Sequence, residues 1–336
     1  MLIGPVDLDR EVLVVAEIGN NHEGSFTRAE EMIGRAAEAG AQAVKFQTIV
    51  PERLVTADQD ARIAALRRFQ FTQSKFEVLA KTARAADVMF LSTPFDLESV
   101  RWLANLVPAF KIASGDNDYT PMLRAVAATG KPVIMSTGMA ELADVAGARD
   151  LLRSEWKRHG YTDAGLALLH CVVSYPTQPA DANLAAISAL ATLGETVGYS
   201  DHTLGVEAAV LAVAAGARVI EKHFTLDKRL SDFRDHQLSA DPVELAELVR
   251  RIKQVEELMG SSGKHVAAVE RGSLSTIRRG VYAARNLAAG TPIAAGDLSY
   301  LRPRTGLSPA DVDHRLGMPL TKPVKAGEPL TAEHFS

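Results

Sequence analysis

The chain has 336 residues, 47% hydrophobic and 23% charged, enough to bury a full core and more than one common domain needs. A net charge of -4 and a pI near 6.2 give no electrostatic footprint for nucleic acid or an anionic membrane, so any anion site must be built locally. Cys171, the single cysteine, excludes an intrachain disulfide and a multi-cysteine zinc site; the acidic start MLIGPVDLDREVLVV and the lack of any apolar run near roughly 18 residues predict a soluble, cytoplasmic protein without a membrane partner.

From residue 12 to about 259 a short β-rich run, a polar strand end and an Ala/Leu-rich stretch with helical spacing alternate. The strand-like runs are VLVVAEIG (12–19), QAVKFQ (42–47), VMFLST (88–93), AFKIAS (109–114), PVIMST (132–137), LALLHC (166–171), TVGYSD (196–201) and VIEKHF (219–224). Each precedes a helical stretch, the last being PVELAELVRRIKQVEELMG. Eight βα units with near-continuous apolar strands predict an α/β fold, a closed (β/α)8 TIM barrel. A doubly wound open sheet is the alternative, and the glycine fingerprint of a dinucleotide fold after the first strand is missing.

Residues 260–279 lose the periodicity and read as a linker with some ordered structure. Beyond them, ARNLAAGTPIAAGDL and TKPVKAGEPLTAEHF share a pattern of apolar residue, AG, Pro and acidic residue, which predicts a small β-rich module of paired hairpin-like units. The expected division is a catalytic barrel over 1–260, a linker over 261–279 and a small domain over 280–336.

In such a barrel, side chains at the C-terminal strand ends face the catalytic mouth. Those ends collect Glu17, Lys45, Gln47, Thr93, Lys111, Ser114, Ser136, Tyr175, Ser200, Asp201, His202, Glu221, Lys222 and His223. Any one Ser or Thr among them is as readily a helix cap. Together, Lys45, Lys111, Thr93, Ser114, Ser136 and Ser200 supply cationic charge and hydroxyl donors converging on one anion, a phosphate or phosphorylated small molecule.

His202 and His223 come from neighbouring strand ends. Two imidazoles in reach of a carboxylate, Glu17, make a divalent-metal site suited to manganese, iron, cobalt or zinc more than calcium, with Asp201 and Glu221 expected to orient the rings. Glu17 precedes a Gly-Asn-Asn turn and either bonds that turn, transfers a proton or holds a reacting carbonyl. His22 in the same loop reads as support or loop structure.

Taken together, AEIGNNHEG, VKFQT, STPF, KIASGD, STGM, YPT, GYSDHTLG, EKHFTLD and DHQLSADP resemble the sialic acid synthase family, the nonulosonate synthases, and the C-terminal module resembles that family's antifreeze-like SAF domain. The resemblance implies condensation of phosphoenolpyruvate with an N-acylated hexose in its aldehyde form, N-acetylmannosamine or a diacetamido-trideoxyhexose, to give a nine-carbon 2-keto acid and phosphate. It implies a domain-swapped homodimer whose SAF domain covers the partner's barrel. Carried over by motif, His202 and His223 hold the metal, Mn2+ in the first instance with Mg2+ or Co2+ as alternatives. Lys45, Thr93, Lys111, Ser114, Ser136 and Ser200 bind phosphoenolpyruvate, and Glu17 stands at the reacting centre. Gln47, Asp116, Tyr175, Asp235 and Arg302 contact the sugar.

Five departures bear on the sugar, one being the short loop after QTIVPE, which lacks a counterpart of the family's sugar-contacting asparagine. KIASGD carries Asp116 where members with neuraminate activity commonly have glutamate, and CVVSYP has Val173 where some place an asparagine, with Ser174 as a partial replacement. DFRDH adds Asp232 and Arg234, and LRPRTG adds Arg304 where a glycine is common. The reaction type stands; a Schiff-base aldolase using Lys45, Lys111 or Lys222, or a carbohydrate-binding protein without turnover, are the alternatives.

Overall fold

The strands predicted from the sequence close around a lumen that is apolar at one end and charged at the other. The computed structural model describes all residues except Asp163, Arg234 and Ser262. The chain forms two compact units, Met1–Gly260 and Ser261–Ser336.

The first unit opens with a hairpin of β1 (Leu2–Ile3) and β2 (Val6–Asp7). Eight strands follow: β3 (Leu13–Gly19), β4 (Ala43–Thr48), β5 (Met89–Pro94), β6 (Phe110–Ile112), β7 (Val133–Ser136), β8 (Leu166–Cys171), β9 (Thr196–Asp201) and β10 (Val219–His223). All seven ladders are parallel, in the order β5-β4-β3-β10-β9-β8-β7-β6. β5 and β6 pack side by side without a ladder, so the barrel is nearly closed, and the expected (β/α)8 fold is what forms. β6 and β7 stop earlier than the sequence pattern suggested, because Ser114–Asp116 turns into a 3-10 helix and Thr137 leaves the ladder.

Successive strand residues point to opposite faces, and the parity is clear in the cores. Val14, Ala16 and Ile18 face the helices, which bury amphipathic faces such as Met32, Ile33 and Ala36 of Phe26–Glu38 against the barrel. Leu13, Val15, Ala43, Leu91, Ala109, Ile134, Ala167, Leu169 and Val219 fill the lumen, closed below by Ile3, Val6 and Leu8 of the hairpin. Gly198 is required in this layer: a Cβ there would stand 2.5 Å from the Val219 carbonyl oxygen and overlap the Leu169 side chain. Continuing the inward parity past this layer brings Glu17, Lys45, Thr93, Lys111, Ser136, Ser200 and Glu221 into the mouth.

The second unit has its own core, including Val281, Leu287, Val312, Val324 and Leu330. β11 (Gly280–Ala283) and β12 (Leu298–Leu301) pair antiparallel. The two repeat-like segments pair with one another through an antiparallel bridge between Leu287 and Val324, rather than each closing its own hairpin. Their matching turn glycines, Gly290 and Gly327, both adopt φ +84.

Candidate active site

Four buried charges converge where β3, β4, β6 and β10 end. Lys45 Nζ lies 2.8 Å from Glu17 Oε2 and 3.7 Å from Glu221 Oε2, and it donates to Thr93 Oγ1 at 3.1 Å. Lys111 Nζ donates to Ser136 Oγ at 2.6 Å and lies 3.9 Å from Glu221 Oε1, which accepts from Ser200 Oγ at 3.0 Å. The predicted lysines and hydroxyls therefore meet in one cluster, except that Ser114 Oγ faces the next loop and accepts from the Gly138 N–H at 3.1 Å.

Such charges survive burial only by compensating one another. Burial works against the Lys45 cation, yet Glu17 and Glu221 outweigh it and raise its pKa. Burial likewise opposes the Glu221 carboxylate, but Lys111 and Lys45 hold its pKa down. Glu17 goes the other way: burial, reinforced by Glu221, raises its pKa despite Lys45. Burial lowers the Lys111 pKa, with Glu221 offsetting part of the effect. The cluster thus combines a firmly held cation with one carboxyl group that takes a proton readily.

Glu17 is also oriented from the side. Asn20 Nδ2 donates to Gln47 Oε1 at 3.0 Å, and Gln47 Nε2 donates to Glu17 Oε1 at 3.0 Å. A Cβ on Gly19 would sit 3.1 Å from Glu17 Oε1 and 3.2 Å from Gln47 Nε2, so the glycine leaves room for this relay.

His202 and His223 lie with ring centroids 5.4 Å apart at 58°. His202 Nδ1 is 2.9 Å from the Val172 carbonyl oxygen. A carbonyl only accepts, so Nδ1 carries the proton and Nε2 keeps its lone pair for a ligand. Tyr175 packs its ring 4.2 Å from that of His202 and edge-on to His223 at 6.1 Å, and burial raises its phenol pKa. Two imidazoles side by side, one with its Nδ1 committed to a carbonyl and its Nε2 left over, fit an open divalent-metal site in their neutral forms. Among the described residues no three His, Cys, Asp or Glu side chains are grouped to hold a metal, because the Glu17 carboxylate is taken up by Lys45 and Gln47. The expectation that Asp201 and Glu221 orient the rings is corrected in one respect: Asp201 does so by no direct bond to His202, because it binds Lys222 and Thr203, while Glu221 accepts from Ser200 and the Val172 carbonyl bonds His202 Nδ1.

The predicted sugar contacts are spread more widely. Among the described residues Asp116 Oδ2 is buried without a hydrogen-bond partner, and burial, with Asp118 adding to it, raises the Asp116 pKa. Asp235 opens the helix Asp235–Leu238, and its charge is felt at Tyr175. Val173 packs over Gly138, and Ser174 Oγ bonds the Pro176 carbonyl. Arg302 is exposed in the second unit, where Arg304 donates to the Arg279 carbonyl at 3.3 Å. Arg234 lies outside the described residues.

Sequence reasoning missed the residues that join the first and last loops of the barrel. Asn21 Nδ2 donates to the Phe224 carbonyl (2.8 Å) and to Ser239 Oγ (2.9 Å), and Glu23 binds Ser231 and Arg28. The doubled asparagine of GNNHEG was their only signal, since the partners lie some 200 residues away. His22 is loop structure: its Nδ1 accepts from the Gly24 N–H at 3.0 Å, and its ring stacks on Phe71.

Residues 32–264 match the NeuB family and residues 278–336 the SAF domain. The chain is 41% identical to an uncharacterized protein of Methanocaldococcus jannaschii, over 88% of this chain and 86% of that one. It is 36% identical to the N,N'-diacetyllegionaminic acid synthase of Legionella pneumophila, over 96% and 94%. Among solved structures, the N-acetylneuraminic acid (sialic acid) synthetase of Leptospira borgpetersenii, in complex with citrate, is 34% identical with a TM-score of 0.75, covering 81% of this chain and 94% of that one. With a nearly closed parallel barrel, a charged mouth and a separate β-rich unit, the chain belongs to the NeuB family and carries a C-terminal SAF domain.

Proposed function

We propose that this protein is a divalent-metal-dependent nonulosonate synthase, condensing phosphoenolpyruvate with an N-acylated hexose aldehyde and water to give a nine-carbon 2-keto acid and phosphate. The observation that carries the reading is the juxtaposition of the Lys45/Lys111 hydroxyl cluster with the His202/His223 pair at one barrel mouth. Lys45, Lys111, Thr93, Ser136 and Ser200 bind the anionic groups of phosphoenolpyruvate, with Ser114 at the edge of the set.

The enol carbon of phosphoenolpyruvate attacks the aldehyde carbon, leaving positive character on the pyruvyl carbon. Glu17 and Glu221 stabilise that charge electrostatically, and Glu17 takes a proton from the water that adds there. The tetrahedral adduct then expels phosphate, whose charge Lys45 and Lys111 offset. His202 and His223 would hold a divalent ion, Mn2+ in the first instance, which would supply Lewis-acid polarisation of the aldehyde. Asp116, Gln47, Tyr175 and Asp235 face the sugar. The sugar is either a diacetamido-trideoxyhexose, as the legionaminic acid synthase at 36% identity suggests, or N-acetylmannosamine, as the neuraminic acid synthetase at 34% suggests. The same reading takes the protein as a homodimer that exchanges SAF domains, with Arg302 serving the partner's sugar.

The test is a phosphate-release assay with metal-stripped protein against N-acetylmannosamine and the diacetamido-trideoxyhexoses. Release is expected only when phosphoenolpyruvate, one sugar and a divalent ion are all present. Turnover that survives chelation, or a borohydride-trapped adduct on Lys45, Lys111 or Lys222, sinks the reading.

A further inference from the structure

Lys222 and Asp201 form an ion pair in which both side chains are 0% exposed. Lys222 Nζ donates to Asp201 Oδ2 at 2.8 Å and to the Thr203 carbonyl at 2.6 Å. Asp201 Oδ1 accepts from the Thr203 N–H at 2.9 Å and from its hydroxyl at 2.8 Å. The two residues are register partners on β10 and β9. By strand alternation they point out toward the helix layer, while Ser200, Glu221 and His223 point into the mouth.

Stability does not account for this pair. Removing two charges from water costs several kcal/mol per ion, and a buried pair often does no better than apolar side chains of the same volume. What the pair does is geometric. It ties residues 201 and 203, which flank His202, to the residue that precedes His223. The His202 carbonyl is also held by the Thr177 N–H at 2.9 Å, and the His223 carbonyl by the Ala240 N–H at 2.7 Å. Behind the two imidazoles, the backbone is therefore one cross-linked frame.

Resting on the metal reading above, we propose that Lys222 and Asp201 are positioning residues: their ion pair, bridging the 201–203 turn and the end of β10, holds His202 and His223 at the separation and tilt needed to bind one divalent ion. This use of Lys222 occupies its amine, which is why it is no Schiff-base nucleophile.

The test measures Mn2+ binding by EPR titration of the metal-stripped, full-length protein without substrates, alongside thermal unfolding and ring 15N shifts of the histidines. In D201N the amide oxygen keeps both Thr203 bonds; in D201N/K222M methionine also fills the space of the lysine stem. The expected result is a folded double variant that binds Mn2+ roughly tenfold or more weakly, with altered His202 ring shifts. A folded double variant with wild-type Mn2+ affinity overturns the proposal. Should the double variant not fold, D201N decides by the same two criteria. Equal Mn2+ binding by wild type and H202A/H223A would strike the metal reading itself. The clamp is then judged by the metal-free His202 shifts, and shifts unchanged in D201N overturn it.

Discussion

Lys45 Nζ stands 2.8 Å from Glu17 Oε2, with the two side chains only 4% and 2% exposed. Because Lys45 also has Glu221 at 3.7 Å, Glu17→Gln leaves the cation paired and leaves Gln47 an acceptor at the retained oxygen. Phosphoenolpyruvate binding is expected to change by less than about tenfold, while turnover falls by about 10²-fold or more through loss of proton transfer. Calorimetry and single-turnover phosphate release separate the two. A matched loss in both would make Glu17 part of the binding frame instead.

Lys111 is the more exposed test of the anion site in the chemical sense, because burial already weakens its charge. Lys111→Met strips Ser136 of its 2.6 Å donor and leaves Glu221 with one nearby cation, Lys45, beside the Ser200 hydroxyl. Truncating one member of a buried, hydrogen-bonded charge set costs about 2 to 5 kcal/mol, so phosphoenolpyruvate affinity is expected to fall by about 10²-fold or more. Titration calorimetry without sugar reads this directly. Wild-type affinity in Lys111→Met would move the anion elsewhere.

Gly198 tests the lumen layer beneath the site. Gly198→Ala forces a methyl group to within 2.5 Å of the Val219 carbonyl oxygen, a backbone atom on the neighbouring strand that has little room to move. Overpacking of this kind costs about 1 to 3 kcal/mol, so the urea midpoint should fall accordingly. An unchanged midpoint would mean that β9 and β10 separate freely at this level.

Much of this layout was legible because the strands are apolar on both faces. Runs such as LVVAEIG read as buried parallel strands, and the polar residues that end them read as a mouth. Asp201 and Lys222 were misread because the strand ends were taken whole. Alternation from Ser200 and Glu221 already turns both residues outward, away from the histidines. The Val172 carbonyl that orients His202 is a backbone group, which no side-chain motif reveals. The relay from Asn20 through Gln47 to Glu17 depends on the register of β3 and β4 past the bulge at Glu17/Gly19, which the sequence pattern does not specify.

His22 contributes to the loss of stability at acid pH. Burial, with Arg28 adding to it, lowers its pKa to about 4 from an ordinary 6.5. Between those values the unfolded chain binds a proton that the folded chain does not, so stability is full above about pH 6.5 and is lost as pH falls toward 4. At about pH 4.5 the loss amounts to about 2 to 3 kcal/mol for a shift of this size. In His22→Asn the amide oxygen still accepts from the Gly24 N–H but cannot titrate, and the stack on Phe71 is lost. The variant is therefore expected to be less stable than wild type at pH 7, with the gap narrowing by about 2 kcal/mol at pH 4.5. Urea unfolding at the two pH values measures the gap. A gap that stays constant would show that the His22 ring accepts its proton without leaving the loop.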